Sequence, residues 1–244
     1  MENLTSHQSQ NLSPPAHLSL EAQTPAPGWV EEHLDAILLL PPDSSLQLRN
    51  ISWNEYQRLL DGLDERPRFR LTYNLGDLHI MTKTFRHESF AALFSPLILV
   101  LCEELRIEVI GAGTTTLSSE NTLSGAEGDD CYYFDHLIEV GEKDRLDLTV
   151  DPPPSILVEV DITNPSINKF PIYATLRIPE IWHFDGTVVT FYQLSEMEYL
   201  STTHSVKFPF LPADVLPPLL QQGKKEGTMK MMRNFRAWVK IQQQ

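Results

Sequence analysis

The sequence predicts an α/β domain with a mixed central β-sheet flanked by α-helices. Three observations carry this. Segments of helical and strand periodicity alternate, in the order helix, hairpin, helix, strands, helix, hairpin. Two turn signals, Asn74-Leu75-Gly76 and Asp185-Gly186, each separate a pair of strand-like runs. Finally, Ile156-Leu157-Val158-Glu159-Val160-Asp161-Ile162 reads as a strand buried on both faces, five of its seven residues being β-branched or leucine.

Residues 1–28 are rich in Ser, Gln and Pro without periodicity, the composition of a disordered tail. Trp29 to Leu40 predicts a short helix stopped by Pro41-Pro42. Ser52-Trp53-Asn54-Glu55 has the form of a capping box, and Tyr56, Leu59, Leu60 and Leu63 follow at helical spacing. Arg68 to Tyr73 and Asp77 to Met81 form the first predicted hairpin. A helix over Arg86 to Leu105 presents Phe90, Leu93, Phe94, Leu97, Leu101 and Leu105 on one face, with Pro96 kinking or splitting it. Ile107 to Ile110, Gly113 to Leu117 and Cys131 to Phe134 are short strand candidates, and Ser118 to Asp130 reads as a polar, acidic loop. Beyond the Glu159 strand, Asn164-Pro165-Ser166 forms a turn and cap for a helix through Leu176. The second hairpin pairs Ile181 to Phe184 with Val188 to Leu194. From Phe208 the chain is Pro-rich until a final helix over Thr228 to Lys240. The domain itself is expected to span 29–200, with 201–244 as an appended Pro-rich segment and helix.

The net charge is −14, from 19 basic and 33 acidic residues, which excludes a protein gripping nucleic acid with its whole surface. It leaves room for basic groups concentrated at one cleft. Between Lys224 and Lys240 there are six basic residues and one acidic, read mainly as a solvated helix pinned by Met232, Phe235 and Val239, with a nucleic-acid contact as the alternative. Cys102 and Cys131 are the only cysteines, too few for a disulfide framework or a zinc spacing, and a reducing, cytoplasmic setting fits. No Lys or Arg precedes Arg49, and the longest apolar run, Ala92 to Cys102, is too short to span a bilayer, so a soluble protein is expected.

The acids of the central strand are the chemical lead. Glu159 and Asp161 are two apart, so both carboxylates lie on one face. Buried carboxylates are costly unless a cation, a metal or several hydrogen bonds compensate them. Asp129 and Asp130, just before a strand, are placed to approach Glu159 or simply to end an acidic loop. Glu88 falls in the first turn of the long helix, where it also complements the helix dipole. Asp147 and Asp151 read as a rigid turn. His87 has no second histidine at ligand spacing, and His183 reads as a structural histidine. Lys169, following the Glu159 strand, either curls back over the carboxylates or stands exposed in a first helical turn. No nucleophile elbow, phosphate-binding glycine loop or HExxH pair is present.

Taken together, RLTYNLGDLHIM followed by RHE, then GAGTTTL, GDDCYYF, DRLDLTVDPPPSILVEVDIT and NKFPIYATLRIPEIWHFDG, resemble the Uma-type restriction endonuclease family, a branch of the PD-(D/E)XK nuclease superfamily. The resemblance covers about residues 50 to 195. It implies a restriction-endonuclease-like core with the metal site at the fork of the sheet. Asp129 and Glu159 then take the roles of the motif's two acids, and Glu88 that of a helix carboxylate in the same metal shell. The implied cofactor is Mg²⁺ or Mn²⁺, and the implied partner is DNA. Two departures stand out. Gly128 replaces the motif's proline, and Asp161 replaces the lysine two residues after the second acid. Either Asp161 joins the metal shell or Lys169 supplies the missing positive charge.

The leading expectation is therefore a metal-dependent endonuclease with Asp129, Glu159 and Lys169 as catalytic residues and Asp129, Glu159, Glu88 and Asp161 as metal ligands. The alternative is a catalytically degenerate nuclease fold acting as a binding module; a third reading is a structural protein whose buried acids are satisfied by hydrogen bonds. A homodimer is left open, the final amphipathic helix offering a docking face.

Overall fold

The computed structural model describes residues 18–19, 29–42, 44–63, 68–162 and 168–244. The expected N-terminal tail falls outside these residues apart from β1 (Leu18–Ser19). The expected Asn164-Pro165-Ser166 turn also lies outside the described residues.

The chain first builds one sheet and its helical cover. α1 (Trp29–Leu38) precedes β2 (Ser45–Leu48), a strand the sequence reading missed, and then α2 (Trp53–Leu63). The capping box at the start of α2 is formed: Ser52 N–H and Oγ donate to Glu55 Oε2 at 2.8 and 2.6 Å, and Glu55 N–H donates to Ser52 Oγ at 3.3 Å. β3 (Phe69–Asn74) and β4 (Asp77–Thr82) pair in the expected hairpin, with Asn74 opposite Asp77. Leu75 and Gly76 have φ of 50° and 98°, the two positive values that a type I′ turn demands.

The expected long helix is split into α3 (Phe85–Ala91) and α4 (Phe94–Leu105). The break comes at Ala92-Leu93, three to four residues before the kink expected at Pro96. Pro96 occupies the first turn of α4, where its missing N–H has no intrahelical partner to lose. α3 is capped by Thr84, whose side chain accepts from His87 N–H.

β5 (Ile110–Gly111), β6 (Thr116–Ser119), β7 (Ser124–Glu127) and β8 (Asp130–Tyr133) follow. β7 corrects the sequence reading, which made this stretch a loop. Ser-Gly-Ala-Glu has little strand propensity, yet all four residues are buried between β3 and β6. Gly125 is required there: a Cβ would come within 2.9 Å of Tyr56 Cζ, in a ring that itself stacks on Tyr73 with centroids 4.6 Å apart. Tertiary packing, not local preference, makes this strand.

α5 (Leu137–Gly141) leads to β9 (Ile156–Val160), α6 (Phe170–Thr175), β10 (Glu180–Phe184), β11 (Val189–Ser195) and β12 (Glu198–Thr202). In the Pro-rich segment lies a helix that the reading did not anticipate, α7 (Leu216–Glu226), with Pro217 and Pro218 inside its first turn. α8 (Thr228–Gln242) buries Met231, Phe235 and Val239, so the pin is Met231 rather than Met232, which is only partly buried. Two of its cations face α4, Arg236 pairing with Glu103 and Glu104 and Lys240 lying 3.8 Å from Glu104, while Lys230 pairs with Glu226 of α7. This matches the solvated, packed helix rather than a free basic surface.

The strands form two six-stranded sheets, in the orders β1-β2-β4-β3-β7-β6 and β12-β11-β10-β9-β8-β5. The second sheet is mixed as expected, because β9 and β10 are parallel across α6 while its other pairs are antiparallel. Its central strands are buried on both faces. Ile156, Val158, Val160, Trp182 and Phe184 join a core with α4, α7 and α8, while Leu157, Cys131 and Ile181 face Ile172 and Tyr173 of α6. Leu117 and Ala126 of the first sheet enter this second cluster, which ties the two sheets together. The chain passes between them at Gly128-Asp129, between β7 and β8.

Candidate active site at the junction of the sheets

Alternation along β9 decides which acids reach the junction. Glu159 follows Leu157 on the α6 face and is buried, as the period of two requires. Its Oε1 accepts from Lys169 Nζ at 2.5 Å and from the Tyr173 hydroxyl. Lys169 therefore does curl back over the strand, and it also donates to the Glu127 carbonyl at 3.2 Å. Burial raises the Glu159 carboxyl; Lys169 opposes this, while Asp129 and Asp161 reinforce it.

Asp129 is fully engaged. Its Oδ2 accepts from Val160 N–H at 2.6 Å, and its own N–H donates to the Val158 carbonyl at 2.8 Å, so it is bolted to the end of β9. Its Oδ1 pairs with Arg70 Nη2 and lies 3.1 Å from His87 Nε2. Burial would raise this carboxyl, but Arg70 and His87 reverse the effect and hold it well below the ordinary carboxylate range. Glu88 is partly open, with its side chain 42% exposed, and its Oε1 lies 3.2 Å from His87 Nδ1 and 3.8 Å from both Arg70 Nη2 and Lys83 Nζ. The His87 ring bridges the two acids. Burial disfavours its charged form, but the hydrogen bonds to Asp129 and Glu88 prevail and raise its pKa to about 9.

Asp161 stands just past the end of β9, with Oδ2 3.1 Å from His183 Nε2 on the neighbouring strand. Asp130 faces elsewhere, bonding the Tyr132 hydroxyl and Cys131 N–H. Asp147 and Asp151 form the expected rigid turn, in which Asp151 Oδ2 accepts from Asp147 N–H at 2.9 Å and Lys143 pairs with Asp151.

Thus Asp129 and Glu88 come together, and with His87 they offer three ligand atoms within 4.8 Å of one another. Glu159 and Lys169 form a separate buried pair beside them. Asp161 is linked instead to His183. The sequence reading passed over Arg70, Lys83 and Glu127, and set His87 aside. Arg70 had one signal: a charged residue inside a strand in which five of six residues are buried. The partners of His87 are its own neighbour Glu88 and Asp129 from the connection between β7 and β8, so histidine spacing had nothing to reveal.

The donor set fits a hard divalent cation. Asp129 and Glu88 supply the carboxylate oxygens that Mg²⁺ and Mn²⁺ prefer, and the His87 ring, which carries a proton between them, would have to give it up or swing aside for an ion to enter. Gly128 has its own constraint: a Cβ there would lie 2.8 Å from Leu157 Cγ. Gly128→Ala is therefore expected to destabilise by about 1–3 kcal/mol, the usual cost of overpacking a filled core. Thermal unfolding of the variant checks this; an unchanged midpoint would mean that Leu157 yields freely.

The protein is thus of the mixed α/β class, with buried carboxylates and a lysine meeting where the chain passes from one sheet to the other. The chain belongs to the Uma2 family, described as "Putative restriction endonuclease", whose model matches residues 53–222. Among solved structures it is similar to the crystal structure of a putative nuclease belonging to DUF820 from Anabaena variabilis, at 11% identity over 66% of this chain and 90% of that one, with a TM-score of 0.40. No curated protein matches the chain.

Proposed function

We propose that this protein is a nuclease that hydrolyses phosphodiester bonds of DNA with the help of Mg²⁺ or Mn²⁺. The observation that carries this reading is the Lys169–Glu159 pair at 2.5 Å beside Asp129. It returns to the acids a positive charge in place of the lysine that Asp161 displaced. Asp129 and Glu88 would hold the ion, with His87 beside them and Glu159 completing the acidic wall. When bound, the ion supplies Lewis acidity at the phosphate and makes a nearby water more acidic.

The chain's own groups supply the rest. In hydrolysis a water oxygen bonds to phosphorus, the bond from phosphorus to the leaving oxygen breaks, and negative charge grows on the phosphoryl oxygens. Lys169 provides a fixed, desolvated ammonium for that charge, where it acts more strongly than in water. Tyr173 and the Glu127 carbonyl restrain the lysine and its partner. Arg70 provides a second buried cation at Asp129.

The direct test is cleavage of plasmid and single-stranded DNA with Mg²⁺ or Mn²⁺, wild type beside Glu88→Gln. Glu88 is partly exposed, and denaturant unfolding of the variant checks that it is folded under the assay conditions. It is expected to need at least about tenfold more metal for half-maximal cutting, in line with the loss of one charged ligand. Equal metal dependence would remove Glu88 from the site. No cutting by wild type under any metal or salt condition would favour the second reading, a nuclease fold that binds without cleaving. One observation favours that reading: the carboxylates already have internal cations in Arg70, His87, Lys83 and Lys169.

A further inference from the structure

Beside the acidic cluster is a cavity of about 280 Å³ that the chemistry above does not use. Leu60 of α2 with Phe69 and Leu71 of β3 give it an apolar lining, and Thr115 and Thr116 a polar one. Its inner end is charged: Lys83 and Glu127 line it, and both also face the acidic site. The cavity and the carboxylates thus share a border.

Lys83 is the informative group. Its side chain is only 8% exposed, yet its nearest carboxylate oxygen, on Glu88, is 3.8 Å away. It makes no side-chain hydrogen bond among the described residues, so its ammonium has donors free to meet an anion that enters the cavity it lines. Arg70 lies close enough to push the Lys83 pKa down, in addition to the larger effect of burial. An anion at Lys83 would give this ammonium a close counter-charge, whereas Arg70 already has Asp129. The volume lies just below the usual ligand cleft of about 300–1,000 Å³, suited to one small ring system with its polar groups and too small for a stacked base pair.

We infer that this cavity takes a single unpaired nucleotide, its phosphate on Lys83 and its base against the lining of Leu60, Phe69, Leu71 and Thr115. Enclosure of a base by apolar side chains with a few polar contacts is how proteins hold bases taken out of a stack. The inference rests on the nuclease reading and narrows it: the substrate presents an unstacked nucleotide, from a single strand or from a base extruded out of a duplex.

The test is calorimetric titration of the full chain with thymidine 5′-monophosphate and, separately, with inorganic phosphate. Wild type should bind the nucleotide at least tenfold more tightly than phosphate. Lys83→Met should weaken the nucleotide at least tenfold. Thr115→Trp, which fills the cavity from its partly exposed rim, should abolish nucleotide binding while phosphate binding persists. Nucleotide binding no tighter than phosphate, or unchanged in Thr115→Trp, overturns the inference. The two readings fail separately. If wild type binds the nucleotide but cuts no DNA, the nuclease reading falls and the pocket stands. If wild type and Thr115→Trp cut DNA equally, the pocket reading falls and the nuclease stands.

Discussion

Glu159→Ala is expected to destabilise the protein by about 3–5 kcal/mol, the cost of leaving one member of a buried ion pair without its partner. Lys169 and Glu159 have side chains 8% and 4% exposed, and removing the carboxylate strands an ammonium whose remaining partner is the Glu127 carbonyl. The Tyr173 hydroxyl loses its carboxylate acceptor at the same time. Denaturant unfolding of the single variant measures the loss. The double variant Glu159→Leu/Lys169→Met provides the control, because replacing both charges by apolar groups of similar size is often neutral or stabilising. If the double variant is as unstable as the single, the cost comes from packing and not from the unpaired charge.

The second large effect is on the reaction. Lys169→Gln, assayed well below its own unfolding midpoint, is expected to slow DNA cleavage by about 10²–10³-fold, the usual loss on removing one preorganised donor from a developing oxyanion. The metal concentration for half-maximal activity should stay near the wild-type value, since lysine is not a ligand. That split separates Lys169 from Glu88, whose loss acts on metal affinity. A Lys169→Gln variant that cuts at the wild-type rate would make the lysine a structural counter-ion only, and the nuclease reading would then need another cation, with Arg70 the nearest candidate.

These two results bear on why the residue at the usual lysine position, Asp161, need not disable the site. Asp161 is turned to His183, whose pKa is shifted upward: burial opposes the charged ring, but the hydrogen bond to Asp161 outweighs it. Its charge is thus partly matched outside the Lys169–Glu159 pair.

Much of this architecture was legible in the amino-acid sequence, and the legible parts share a cause. The hairpins at Leu75-Gly76 and Asp185-Gly186, the Ser52–Glu55 capping box and the doubly buried β9 depend on neighbours within a few residues, so local chemistry suffices to specify them. The same-face placement of Glu159 and Asp161 follows from strand periodicity alone. β7 and α7 were not legible. Ser124–Glu127 is a strand only because β3 and β6 flank it, and the prolines of α7 look like breakers until their positions in the first turn are known.

The candidate site divides the same way. The sequence by itself determined which acids were present, that Glu159 and Asp161 were spaced to share a face, and that a lysine followed them, either over the acids or exposed; of the two acids only Glu159 is buried. Only the tertiary structure decided the pairings: Arg70 of β3 on Asp129, His87 of α3 between Asp129 and Glu88, and Lys169 on Glu159 rather than in water. Those partners lie as many as 59 residues apart and come from different strands, helices and connections. Nothing in local propensity constrains such distances; burial does, because a carboxylate taken from water must find whichever cation the packed elements bring within reach.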